Sequence, residues 1–177
     1  MNHRTGLRIL LSVVLTLCLA PLTQAQSLWQ QEAVGCAVDD TDVHRFAASI
    51  LGYVSHATGV TGGIYLRCGV TNPMDGGGNP GWDRLYVTYK DPDATGTGSQ
   101  LKVNLKRVSR ATGAMTNIVS FDSNRFSGTG VQEKYLNVTT AWDFASYYYF
   151  LEIYMNRASS TADVRAYGFS LQYYFGM

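Results

Sequence analysis

The sequence predicts an all-β protein, an antiparallel β-sandwich of about eight strands, jelly-roll-like and closed by one disulfide. Three observations carry this reading. Apolar and polar residues alternate with period two in several separate runs, most strictly in Leu101-Lys102-Val103-Asn104-Leu105-Lys106. Clusters of Gly, Asp, Asn and Pro fall between the runs at fairly regular spacing, the pattern of short strands joined by turns. Tyr, Thr, Val and Phe, which suit a half-buried pleated surface, supply much of the apolar content.

The chain opens on a different pattern. Arg4 and Arg8 flank an apolar stretch from Ile9 to Ala20, Pro21 breaks it, and Thr23-Gln24-Ala25 offers small residues at a cleavage position. Residues 1–25 therefore read as a secretory signal peptide, cleaved near Ala25, which sends the protein to the periplasm, the cell surface or the medium. The apolar stretch is shorter than the roughly 20 residues a membrane-spanning helix needs. Cys18 lies inside the apolar run behind Leu17, where a lipid attachment site would want a small residue. Cleavage leaves residues 26–35 as an N-terminal leader and 36–177 as a single domain, large enough to hold a core. Without Arg4 and Arg8, the 14 basic residues become 12 against 13 acidic ones. A chain so close to neutral lacks the positive surface that non-specific nucleic-acid binding requires.

Two cysteines remain after cleavage, Cys36 and Cys68. In an exported chain a lone pair most simply forms one disulfide. It would close a loop of about 33 residues, for which the chain-entropy argument gives about 3.5–4 kcal/mol.

Taken in order, Leu28, Trp29 and Val34 mark the leader as a short strand or an arm. Asp39-Asp40-Thr41-Asp42 is a polar turn. From Val43 to Val54 the pattern fits a helical face (Phe46, Ala47, Ile50, Leu51) or a strand (Phe46, Ala48, Ile50), and the β character of the rest favours a strand. Gly63 to Thr71 alternates, with Ile64, Leu66, Cys68 and Val70 on one face. Leu85, Val87 and Tyr89 repeat the pattern, as do Leu101, Val103 and Leu105. Met115 to Phe121 is a shorter run, and Val131 to Thr139 is a polar strand. Tyr147, Tyr149, Leu151, Ile153 and Met155 share one face of a long strand. Tyr167, Phe169, Leu171, Tyr173 and Phe175 share a face of the last.

Three features invite a functional reading. Asp91 and Asp93, in the loop Asp91 to Gly98, place two carboxylates among carbonyls and a Thr hydroxyl, oxygens of the kind calcium prefers; turn geometry explains the same residues. The loop Asn72 to Trp82 holds three consecutive glycines, but lacks the Gly-Lys-Ser/Thr ending and following helix of a phosphate loop. Tyr147-Tyr148-Tyr149 puts rings on both faces of one strand. Tyr148, Phe150 and Tyr154 on the second face therefore want another sheet, a partner or a ligand, and Trp82 is a further ring in a loop. Catalytic chemistry has less support. Asp42 and His44 share a face if extended, and Asp122, Glu133, Asp143 and Glu152 are acids with nothing to bring any two together. No Gly-x-Ser-x-Gly elbow is present.

Gly35-Cys36, Leu66-Arg67-Cys68, Asp91 to Gly98 and Arg107 to Gly113 together give the chain a resemblance to small exported bacterial β-sandwich proteins of uncharacterised function. The resemblance implies a secreted sandwich and implies no activity or site.

The expectation is thus a non-catalytic protein acting outside the cytoplasm, with no cofactor unless calcium at Asp91 and Asp93. Its partners would be copies of itself or another surface protein, recognised through the tyrosine-rich face. One alternative is a glycan-binding module that meets polysaccharide through exposed aromatics. The other is a small eight-stranded outer-membrane β-barrel, suggested by the aromatic last strand and opposed by the short run Leu85 to Tyr89 and the charged faces of Val131 to Thr139.

Overall fold

Alternation in the sequence becomes burial in the structure. The computed structural model describes residues 28–74 and 78–174. The signal segment with Cys18, the run 75–77 and Phe175 lie outside the described residues. Eleven strands form among those that are described: β1 (Trp29–Glu32), β2 (Ala37–Val38), β3 (Phe46–Ala48), β4 (Val54–His56), β5 (Gly62–Val70), β6 (Arg84–Lys90), β7 (Ser99–Ser109), β8 (Met115–Asp122), β9 (Val131–Asn137), β10 (Tyr147–Arg157) and β11 (Arg165–Gln172). All pair antiparallel, in two sheets. The first runs β3-β4-β11-β6-β9, with β1 also paired to β11; the second runs β2-β5-β10-β7-β8. Strands β4 to β7, and again β8 to β11, pass between the two sheets, as in a jelly roll. Neither sheet closes on itself, which overturns the barrel alternative.

The inward faces are those that period two predicts. Ile64, Leu66 and Cys68 of β5, Leu101, Val103 and Leu105 of β7, and Leu151, Ile153 and Met155 of β10 are buried against Leu85, Val87 and Tyr89 of β6 and Phe169 and Leu171 of β11. The outward residues of β7, Lys102, Asn104 and Lys106, face water, so a one-residue slip would bury two ammonium groups.

The long strand expected over Val43–Val54 is not there. The Asp39 side chain accepts the Thr41 N–H (3.1 Å) and starts a 3-10 turn over Asp40–Arg45. Two short strands, β3 and β4, then pair across a turn that includes Gly52 at φ +82°. Ile50, on the apolar face of the expected strand, sits fully exposed at this tip, and Leu51, which only the helical pattern would have buried, is exposed beside it. The leader residues 29–32 are β1, laid along β11 with Trp29 opposite Leu171. In β11 the pairing with β6 shifts between Ala166 and Gly168, so Tyr167 is the extra residue of a bulge, and its ring packs on Tyr53 (5.4 Å).

Cys36 and Cys68 are bonded, with Cα atoms 4.6 Å apart. The bridge pins the two-residue β2 to β5, where only Ala37↔Arg67 and Val38↔Leu66 pair. Arg157, buried at the end of β10, has no carboxylate partner among the described residues. Its guanidinium donates to three backbone carbonyls instead: Nε to Val60 (2.6 Å), Nη2 to Ala57 (2.6 Å) and Nη1 to Ala162 (3.1 Å). One side chain thus satisfies acceptors of two separate loops.

Candidate functional site

The outer face of the second sheet carries an open groove of about 550 Å³. Strand register builds it. Gly69 on β5 lies directly across from Phe150 on β10, and Phe150 lies across from Lys106 on β7. A Cβ placed on Gly69 would meet nothing within 4 Å, so the missing side chain leaves a gap beside the Phe150 ring. Tyr148, two residues back on the same face, is 58% exposed and forms the wall. Arg110, in the turn after β7, holds its guanidinium 4.2 Å above the Tyr148 ring. Asn72 and Thr71 supply polar groups at the end of β5.

The groove turns the end of the sandwich and continues onto Tyr147, Tyr149 and Phe144. These rings rest on a packed aromatic cluster. Trp142 meets Trp82 edge-on (5.0 Å) and stacks near Phe144 (6.0 Å), while Tyr149 lies 4.8 Å from both Trp142 and Phe144. The Trp142 indole N–H donates to the Trp82 carbonyl (2.8 Å), and the Tyr149 hydroxyl accepts the Asp143 N–H (2.9 Å). The aromatic wall is therefore fixed from below before any ligand arrives, which lowers the ordering cost of binding. Arg107 stacks 4.5 Å over Tyr147, and its buried Nε has no hydrogen-bond partner among the described residues.

Of the aromatics singled out from sequence, the structure brings Tyr148 and Phe150 together in this groove. It separates Tyr154, whose ring lies against Tyr65 (4.8 Å) and covers Gly63, where a Cβ would come within 2.5 Å of it. Trp82 is corrected outright: it is 1% exposed, so its ring presents no face to solvent and serves the cluster beneath the groove. The tyrosine-rich face is also not a continuous apolar surface. Between Phe150 and Tyr154 stands Glu152, ion-paired to Lys106 at 2.6 Å.

The loop expected to hold calcium ties itself together. The Ser123 hydroxyl donates to Asp91 Oδ2, and Asp93 Oδ2 accepts the N–H groups of Gly98 (2.7 Å) and Ser99 (3.0 Å). A Cβ on Gly96 would fall 2.5 Å from that same oxygen, so the loop needs glycine there. Among the described residues no set of three His, Cys, Asp or Glu side chains gathers as metal ligands, and calcium wants six to eight oxygens. The second Asp93 oxygen, Oδ1, is buried with no hydrogen-bond partner among the described residues. Burial, reinforced by Asp93 and opposed by the Ser123 hydrogen bond, pushes the Asp91 carboxyl up to about 6.

The catalytic candidates are dispersed. Asp42 is buried and accepts the Tyr65 N–H (2.9 Å), whereas His44 is exposed. Asp122 accepts from the Gln100 amide, Glu133 from the Thr88 hydroxyl, Glu152 from Lys106, and Asp143 from the N–H groups of Ala145 and Ser146. Glu133 and Glu32 do line one shallow trough of about 180 Å³ on the first sheet, between Thr88 and Gly168. Both side chains are exposed, without the apolar enclosure that makes a carboxyl a general acid. At the other end of β6, Arg84 is stacked between Tyr135 (4.1 Å) and Tyr174 (3.3 Å), a cluster no local pattern marks because it joins β6, β9 and the chain after β11.

No family model matches this chain, and no curated protein matches it. Solved structures of similar shape include the CBM36-1 domain of a multidomain xylanase from the hindgut metagenome of Trinervitermes trinervoides (9% identity, 85% of this chain and 100% of that one, TM-score 0.49). Two others are a carbohydrate-binding module, CBM36, in complex with calcium and xylotriose (17%, 81% and 99%, 0.45) and the xylan-binding module CBM15 (9%, 84% and 97%, 0.46).

Proposed function

We propose that this is a non-catalytic glycan-binding protein that acts outside the cytoplasm and holds sugar in the groove between Gly69, Phe150 and Tyr148. The observation that carries the reading is the groove's composition: flat aromatic rings along floor and wall, with amide, hydroxyl and guanidinium groups at the margins. Pyranose rings have apolar faces and polar edges, and aromatic side chains pair apolar area with a wet rim in the same way. A volume of about 550 Å³ lies in the range of small-molecule sites, and the packed cluster below keeps it preformed. The signal-like start and the Cys36–Cys68 bond support an extracytoplasmic setting.

Self-assembly through the same face is the competing reading. It is disfavoured by the Lys106–Glu152 pair, which interrupts the aromatic surface and would have to be desolvated in a packed interface. The test is affinity electrophoresis of the mature protein in gels cast with soluble plant and bacterial polysaccharides. Retardation in at least one gel, lost in Tyr148→Ala with an unchanged circular dichroism spectrum, is the expected result. Equal mobility in every gel, with dimers or larger species by sedimentation, would reject glycan binding in favour of assembly.

A further inference from the structure

We infer that the sugar held in this groove is an acidic one, a glycan whose residues carry a carboxylate; this rests on the glycan-binding reading and narrows it. The described residues that line the groove include no carboxylate, and their single formal charge is the Arg110 guanidinium. Arg110 is exposed, makes no ion pair among the described residues, and is aimed along the groove wall by its position over Tyr148. Its backbone is fixed too, since the Arg110 N–H donates to the Ser146 carbonyl (2.9 Å). The carboxylate nearby, Asp143, accepts two N–H groups of its own turn at 3.0 Å each; these bonds, with a smaller pull from Arg110, hold its carboxyl below the usual carboxylate range, so it stays charged but lies outside the groove lining.

A second guanidinium, Arg107, stacks on the adjacent ring, Tyr147, with its Nε buried and unpartnered. Consecutive strand residues face opposite ways, so Arg107 lies on the other side of β10 and outside the groove lining, and the positive charge at this end of the groove is that of Arg110. Elsewhere on this face Lys106 pairs with Glu152 and Lys102 lies 4.0 Å from Asp122, while Arg67 of β5, across from Glu152 and outside the groove lining, makes no ion pair among the described residues. A planar guanidinium offers paired donors in the geometry a carboxylate accepts, and stacking on tyrosine pre-orders that fork. Because the chain without its first 25 residues is nearly neutral, bulk attraction to a polyanion would be weak, and preference for an acidic sugar would come from this local charge.

The test compares polygalacturonate with its fully methyl-esterified form and with a neutral xylan, for the mature protein and for Arg110→Gln and Tyr148→Ala. The expected result is affinity about tenfold higher for the free acid than for the ester, the scale of one hydrogen-bonded charge pair. Arg110→Gln should erase that difference, so that the acid and the ester are held with equal affinity. Tyr148→Ala should abolish retention on all three. Equal affinity for acid and ester, or a preference that survives Arg110→Gln, overturns the acidic-sugar inference and leaves glycan binding standing. Retention on none of the polymers overturns both.

Discussion

Ser123 donates its hydroxyl to Asp91 and accepts the backbone N–H of Leu101 (2.8 Å), so one buried side chain ties the end of β6 to the start of β7. The cost falls on Asp91, which is fully buried and would rather be neutral. Its folded pKa, near 6, lies above the unfolded value of 3.8. Between about pH 4 and pH 6 the folded chain keeps a proton that the unfolded chain has released, so this group makes stability fall as pH rises through that window and level off above it. The full swing is about 2–3 kcal/mol. His56 runs the other way: burial holds it below 6.5, so the unfolded chain gains its proton first as pH drops. Urea unfolding of wild type and Asp91→Asn from pH 4 to pH 8 separates the two. The variant should match wild type near pH 4 and exceed it at pH 7.5; parallel curves would show that Asp91 titrates normally.

Gly69 offers a substitution that parts stability from binding. Glycine inside a strand costs about 0.5–1 kcal/mol relative to residues with a side chain, and nothing occupies the space a side chain would enter. Gly69→Val should therefore unfold at equal or slightly higher temperature, while filling the floor beside Phe150 and abolishing retardation in polysaccharide gels. A variant that keeps both fold and binding would remove the groove from consideration.

Arg157 predicts the opposite combination. Arg157→Lys keeps the charge, but an ammonium cannot reproduce a fork that meets carbonyls of Ala57, Val60 and Ala162. Leaving buried acceptors unpaired costs about 1–3 kcal/mol each, so a loss of about 2–4 kcal/mol by urea denaturation is expected, with glycan affinity unchanged at temperatures where the variant is folded. A loss below about 1 kcal/mol would mean that water takes over these carbonyls.

Removal of the disulfide tests the edge of the second sheet. Cys36→Ala with Cys68→Ala should lower stability by about 3–4 kcal/mol, the chain-entropy value for a loop of this size. Amide exchange should rise first in β2, whose pairing with β5 spans two residues. Exchange that rises evenly through the sheet would indicate that the bridge stabilises the domain as a whole.

The sandwich was legible because its signal is local. Lys102 and Lys106 alternate with Leu101, Val103 and Leu105, and only one register keeps the ammonium groups wet. The cysteine pair was legible by elimination. Trp82 was not, because Pro80 and Gly81 beside it signal a loop, and no local pattern says that this loop folds over the sandwich end to bury its ring. The groove was half legible: Tyr148 and Phe150 had to face outward once Tyr149 and Leu151 faced in, but the gap opposite Phe150 depends on Gly69, some 80 residues earlier, and on strand register. The Arg157 carbonyl set and the Ser123–Asp91 pair are contacts of the same non-local kind, and no periodicity encodes them.

Strand order has a consequence for how the molecule comes into being. The partners on both sides of β10 are β5 and β7, and β11 gathers β1, β4 and β6; each sheet is assembled around one of the last two strands made. Until residue 157 has emerged, β5 and β7 lack the strand between them, and until residue 172 has emerged β1 has nothing to pair with, so neither sheet is complete while its N-terminal strands alone exist. Closure of the sandwich therefore waits for the two strands nearest the C-terminus, whatever the order in which the earlier strands form. By the same logic, a stop codon fifteen residues early keeps every strand of the second sheet but removes β11, the strand that β1, β4 and β6 pair with, and leaves the second sheet's apolar face without its cover.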